Sequence, residues 1–243
     1  MTKYTTLIFV LLILVTANCF RNHNTFLTQT STSFTPSAEN VIVLGEAANF
    51  AILAGSMTTN AGITTVDGSI GVSPGTAISG TAVKLVSGEF HIGDTVSAAA
   101  QTALLTAFNN LKNLQGAEDM TGTDLVGLTL SPGLYKFNVE AALSGGILTL
   151  DAKGDHNAKW VFQCGTTFIA EVNSTVRVTN GGSALNVYWQ VGTAATFKTG
   201  TVMAGNVLAH EDISFGTGAT LHGRALARDG GVTMLSNVIE VKP

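Results

Sequence analysis

Two segments near the C-terminus are nearly the same sequence. Gly200-Thr-Val-Met-Ala-Gly-Asn-Val-Leu-Ala209 is followed by Gly218-Ala-Thr-Leu-His-Gly-Arg-Ala-Leu-Ala227, and a phenylalanine precedes each at the same offset, Phe197 and Phe215. Gly200 maps onto Gly218, a spacing of 18 residues. That period is too short for a helical hairpin repeat. Glycines at matched corners with alternating small and apolar residues between them suit one rung of a β-solenoid, in which each coil stacks on the next to bury a continuous core. The expected fold is therefore mainly β, a β-solenoid.

Charged residues make up 12% of the 243, about half the ~25% usual for a globular domain, and glycine is abundant at 27. The formal charge is −4 and Lys and Arg are not clustered, so a nucleic-acid partner has no electrostatic basis. Residues 1–17 read as a secretory signal: Lys3, the apolar run Leu7 to Val15, then Val15-Thr16-Ala17 as a small-residue cleavage site. The run is too short to span a bilayer, so a secreted protein without a membrane partner after cleavage is expected. Residues 18–40 are rich in Ser, Thr and Asn without apolar periodicity and read as a disordered leader. Cys19 lacks the preceding Gly or Ala of a lipid anchor, and Cys164, among Trp160, Val161, Phe162 and Ile169, reads as a small buried apolar residue.

Residues 41–243 read as one domain. One helix is expected over about 95–115, with Asp94 as N-cap, Gly116 as terminator and Val96, Ala100, Ala103, Leu104, Ala107, Phe108, Leu111 and Leu114 on one face. Its stripe should pack along the side of the solenoid. Strands follow at Ile147 to Leu150, Trp160 to Gln163, Val176 to Val178 and Val187 to Val191, and residues 41–93 should add a coil that the helix separates from the rest.

Five ordered blocks carry a resemblance over about residues 41–243: Leu44-Gly-Glu-Ala-Ala-Asn-Phe-Ala-Ile-Leu-Ala54, Gly71-Val-Ser-Pro-Gly-Thr76, Ser131-Pro-Gly-Leu-Tyr135, Trp160-Val-Phe-Gln163 and Gly223-Arg-Ala-Leu-Ala227. In this the chain resembles the secreted microbial ice-binding proteins. The resemblance implies a discontinuous right-handed β-solenoid of triangular cross-section with its first coil out of sequence order, an accompanying helix, and an ice-binding side without a strict Thr-x-Thr array.

The strands after each Leu-Ala corner offer the candidate face. Phe197, Ile213, Phe215, Val232 and Met234 alternate with smaller residues, so the bulky set points inward and Ala194, Thr196, Asp212, Ser214, Gly231 and Thr233 outward. Register adds Thr167 and Ile169, and the first coil adds Met57 and Thr59. Stacked rungs lie about 4.7–4.9 Å apart, close to a repeat of the ice lattice. Thr gives a hydroxyl and a water-ordering methyl, Ala and Gly keep the face level, and a rigid scaffold loses little entropy on binding. Single Thr residues are common on any exposed strand; the pattern across rungs is what points to function. The charge of Asp212 should hold water and weaken adsorption.

No catalysis, cofactor or metal is expected. Gly71-Val-Ser-Pro-Gly75 fits the nucleophile elbow of serine hydrolases, but no helix follows at once, and a Pro-Gly turn between coils is the better reading. His23, His91, His156, His210 and His222 lack metal spacing, and Asp151 with Asp155, or His210-Glu-Asp212, read as solvated corners. Asn173-Ser-Thr175 is a formal N-glycosylation site. The expected partner is an ice surface, met by a monomer. The alternative is an extracellular polysaccharide-binding or polysaccharide-active β-helix, disfavoured because such proteins display aromatics and carboxylate clusters while the 2 Trp here lie in apolar strands. A structural adhesion module is weaker still, since further domains would be expected with it.

Overall fold

A computed structural model describes residues 42–242; the signal, the leader, Cys19 and His23 lie outside them. The described chain is a three-sided right-handed β-solenoid. All ladder pairings between its strands are parallel.

One side is a seven-stranded sheet. Its strands run in the order Ala141–Leu143, Phe168–Ala170, Ala195–Phe197, Ile213–Phe215, Val232–Leu235, Met57–Ala61, Ala77–Gly80. The N-terminal strands therefore stack beyond the C-terminal rung. On the neighbouring side Ile52 pairs with Ala225 and Leu53 with Leu226, and the chain then crosses by the helix to the far end of the stack. Residues 50–92 supply two layers rather than one, since Met57–Ala61 and Ala77–Gly80 lie in successive rungs.

Rung length is not uniform. Ala141, Phe168, Ala195 and Ile213 are register partners in turn, so two coils of 27 residues precede the coil of 18. The longer coils carry extra loops at 152–159 and 180–186. In the shorter ones, Val202–Ala209 and Thr220–Ala227 run on across the corner, bending at Gly205 and Gly223, whose φ angles of 122° and 148° a side chain rarely adopts.

The core is an aromatic column. Phe162 stacks on Trp189 at 4.0 Å, Phe168 on Trp189 at 4.3 Å, and Phe197 lies 5.2 Å from Phe215. Both tryptophans are fully buried and Cys164 is buried with them, where desolvation pushes its thiol pKa far up; this is the inert cysteine its neighbours implied.

The helix, α1, spans Thr95–Lys112 and lies against the second side. Ala100, Leu104, Ala107, Phe108 and Leu111 pack on Phe50, Leu53, Leu134, Val161, Tyr188, Leu208 and Leu226, each large side chain contributing about 1.5–3 kcal/mol. Two details differ from expectation. Val96 is exposed and Ser97 takes the inward position, because its N–H and hydroxyl both serve the Asp94 carboxylate, at 2.8 and 2.9 Å. The helix also ends before 115. Buried Gln163 on the solenoid wall donates from Nε2 to the carbonyls of Leu111 at 2.7 Å and Leu114 at 3.0 Å, tying the last turn and the chain just past it to the wall, where a glycine cap was expected. Gly116 has φ 82° but sits beyond the C-cap, Asn113.

Candidate functional site

The seven-stranded side presents an outward file in unbroken register: Ala142, Ile169, Thr196, Ser214, Thr233, Thr59 and Ser79. Alternation along each strand causes this. The residues flanking each member, such as Phe168, Ala195, Phe197, Ile213, Phe215, Val232 and Met234, are buried in the core. No register shift interrupts these ladders, whereas shifts occur at Phe50/Ile52 and Val66/Asp67 on the other sides. The file holds no charge, and its seven members span about 29 Å at strand spacing.

Two residues earlier on each strand runs a second outward file: Glu140, Thr167, Ala194, Asp212, Gly231, Met57, Ala77. Ladder hydrogen bonds from Ala141 to Thr167, Phe168 to Ala194, Ala195 to Asp212 and Ile213 to Gly231 carry the register through it, and Met57 pairs with Ala77. All ten residues singled out in the sequence thus lie in two adjacent files of one sheet. Sequence reasoning missed the end rungs, Glu140 and Ala142 at one end and Ala77 and Ser79 at the other. Ala142 was within reach, since Ala141-Ala-Leu143 shows the same alternation.

Gly231 offers no open surface. It is buried because the next rung closes over it, and an added Cβ would lie 2.9 Å from the Met57 carbonyl oxygen. Asp212 is also not simply a hydrated charge: its Oδ1 accepts a hydrogen bond from the Gly231 N–H at 2.7 Å. Thr167 donates to Glu140 Oε2 at 2.9 Å, and at the far margin Lys198 pairs with Glu171 at 2.7 Å. Charge is therefore confined to the edges and to Asp212.

The other two sides differ in kind. α1 covers the second. The third carries ionic groups in register, His222 with Glu240 at 2.9 Å and Lys242 bridging Glu240 at 2.8 Å and Asp67 at 3.3 Å; Lys242 and His222 together hold the Glu240 carboxyl below its usual range.

The motifs with a catalytic look have structural duties. Ser73-Pro-Gly75 is a turn after strand Ser69–Val72, where Gly75 donates to the Gly55 carbonyl at 2.8 Å. Asp151 accepts from the Lys153 N–H at 2.8 Å and from Asn180 at 2.7 Å, and Asp155 from the Asn157 N–H at 2.8 Å. His210 faces Asp229 at 3.6 Å and the edge of Phe108. Among the described residues no group of three or more His, Cys, Asp or Glu is placed to hold a metal ion. Asn173 is exposed at the corner between the seven-stranded and third sides, with φ 60°.

Fold and face together define a class: a β-solenoid braced by one helix, with a level, hydroxyl-bearing and nearly uncharged side. The chain belongs to the Ice-binding-like family, whose pattern it matches over residues 52–240. It is 46% identical over 211 residues to an ice-binding protein of Nostoc sp. (strain HG1), covering 85% of this chain and 78% of that one. Its fold is similar to the crystal structure of an ice binding protein from an Antarctic biological consortium, with TM-score 0.80 and 42% identity over 86% of this chain and 93% of that one. It is also similar to the ice-binding protein of the Antarctic ascomycete Antarctomyces psychrotrophicus, with TM-score 0.78 and 38% identity, covering 83% and 98%.

Proposed function

We propose that this protein is secreted and adsorbs to ice through its seven-stranded side, giving thermal hysteresis and inhibiting recrystallisation. The supporting observation is the in-register file Ala142, Ile169, Thr196, Ser214, Thr233, Thr59, Ser79. After Ala142 and Ile169, five hydroxyl residues follow one another there, the threonines adding methyl groups, on a scaffold whose core side is closely packed, so many weak contacts add without an ordering cost. Thr167, Ala194, Met57 and Ala77 widen the surface; Gly231 contributes only by letting the rungs close. Thr233 is the most exposed member of the central file, the others being half-buried. The protein acts as a monomer on a solid surface, and its function is adsorption rather than catalysis. An aromatic sugar platform has little support, because Trp160, Trp189, Tyr135 and Tyr188 are all buried.

Ice crystals grown in the purified protein test this, beside Thr196→Tyr and Thr233→Tyr and a control on the third side, Thr220→Tyr. Shaped crystals with the parent and the control, and unshaped discs with the first two, are expected. Equal loss from Thr220→Tyr refutes the assignment of the face.

A further inference from the structure

On the third side, strands Thr175–Thr179 and Val202–Ala209 share one ladder pair, Thr175 with Val202. Beyond it they part. Val202–Ala209 bends at Gly205 and pairs through Asn206 to Ala209 with Tyr188 to Val191. Thr175–Thr179 instead stays paired with Ile147–Asp151 and runs on into the 180–186 loop, one of the insertions that make the longer coils. The fork holds an open groove of about 490 Å³. The strand edges that face each other across it share no ladder pair past Thr175 and Val202, so backbone groups of the Thr175–Thr179 edge line the groove beside the side chains, while the Ala204 carbonyl accepts from Trp189 Nε1 at 3.0 Å.

Val202 and Ala204 give the groove an apolar floor, with Arg177 on one flank and His222, Glu240 and Lys242 on the other. The second flank is internally compensated, since Glu240 is held by His222 and Lys242. Arg177 is exposed and makes no ion pair or side-chain hydrogen bond among the described residues. We propose that this groove binds a strand of acidic polysaccharide, with Arg177 taking a uronate carboxylate through its paired N–H donors. The chemistry fits in three respects. Sugar hydroxyls suit unpaired backbone groups and the Glu240 carboxylate, the C–H face of a pyranose suits Val202 and Ala204, and a groove open to solvent admits a chain. Recognition by a guanidinium needs no exposed tryptophan. One uncompensated cation in the groove, on a chain of net charge −4, is too little for a nucleic acid. The fork frees only about three residues of edge, too few for a peptide to add as a strand.

The test is titration of isotopically labelled protein with a galacturonate tetramer, followed by backbone amide shifts, beside a neutral glucan tetramer and a tetraglutamate peptide. Saturable shifts confined to 176–178, 203–204, 222 and 240 are expected. Binding should weaken at least tenfold in Arg177→Gln, which changes an exposed side chain, and disappear in Val202→Trp, which fills the fork. Absence of shifts, unchanged binding in Arg177→Gln, or equal binding of the neutral tetramer or the peptide overturns the proposal. Thermal hysteresis of both variants should equal the parent's, so failure here and failure of the ice-face reading are told apart.

Discussion

The Asp212 carboxylate accepts the backbone N–H of Gly231 at 2.7 Å, which makes the one charge at the middle of the candidate face a brace between two rungs. Asp212→Asn keeps an acceptor while removing the charge. Its melting temperature should match the parent's and its thermal hysteresis should rise. Asp212→Thr leaves the buried Gly231 N–H unpaired, at a cost of about 1–3 kcal/mol. Differential scanning calorimetry beside hysteresis measurements separates the two effects; hysteresis at or below the parent's in Asp212→Asn shows that the charge does not limit adsorption.

Two glycines of one rung should respond very differently to alanine. At Gly223 the new Cβ would lie 2.0 Å from the Gly205 carbonyl oxygen, in a backbone with φ 148°, while at Gly218, φ 70°, it would meet nothing within 4 Å. Gly218→Ala should cost about 1–2 kcal/mol for the left-handed backbone alone. Gly223→Ala should cost more than about 4 kcal/mol or prevent folding. Urea unfolding curves of comparable midpoint for the two would contradict the stacking geometry of that corner.

Thr58 is fully buried on the inward side of the seven-stranded sheet, paired with Val232. Its Oγ1 has no hydrogen-bond partner. Thr58→Val replaces a desolvated hydroxyl by a methyl of the same shape and should stabilise the fold by about 1 kcal/mol. A lower melting temperature in this variant would mean that the hydroxyl is satisfied in solution.

Asp94 caps α1, and its carboxyl lies at about 2, below the ordinary 3.8, first through the Ser97 N–H and then through His91. Because the folded value is the lower one, the cap's contribution is present above the unfolded pKa and is lost as pH falls from about 4 toward 2. Asp94→Asn keeps the cap acceptor without that titration. The variant's melting temperature should therefore fall less steeply than the parent's between pH 4 and pH 2, and parallel slopes would exclude Asp94 as the source.

Much of this protein is legible residue by residue. The alternation in Ala195-Thr-Phe197 and Ile213-Ser-Phe215 fixes which side chains enter the core, because Cβ direction alternates along any strand. The Gly-cornered repeat fixes a stacked coil, and the stripe from Ala100 to Leu111 fixes a helix with one buried face. These are local signals, and each survives in a short window. The ending of α1 was not local: it depends on Gln163, brought to Leu111 from a strand distant in sequence.

What the chain order could not reveal is which rung lies beside which. Ile52 meets Ala225, and the Asn237 N–H donates to Thr64 Oγ1 at 3.1 Å, only because the helix carries the chain the length of the stack. That placement continues the Thr196, Ser214, Thr233 file into Thr59 and Ser79, and it buries Gly231. The forked groove likewise comes from one strand, Val202–Ala209, turning to pair with Val187–Val191 while Thr175–Thr179 stays on Ile147–Asp151. Orientation within a strand follows from covalent geometry and so belongs to the sequence; adjacency between strands is set by pairing and packing across many intervening residues, and only the folded molecule decides it.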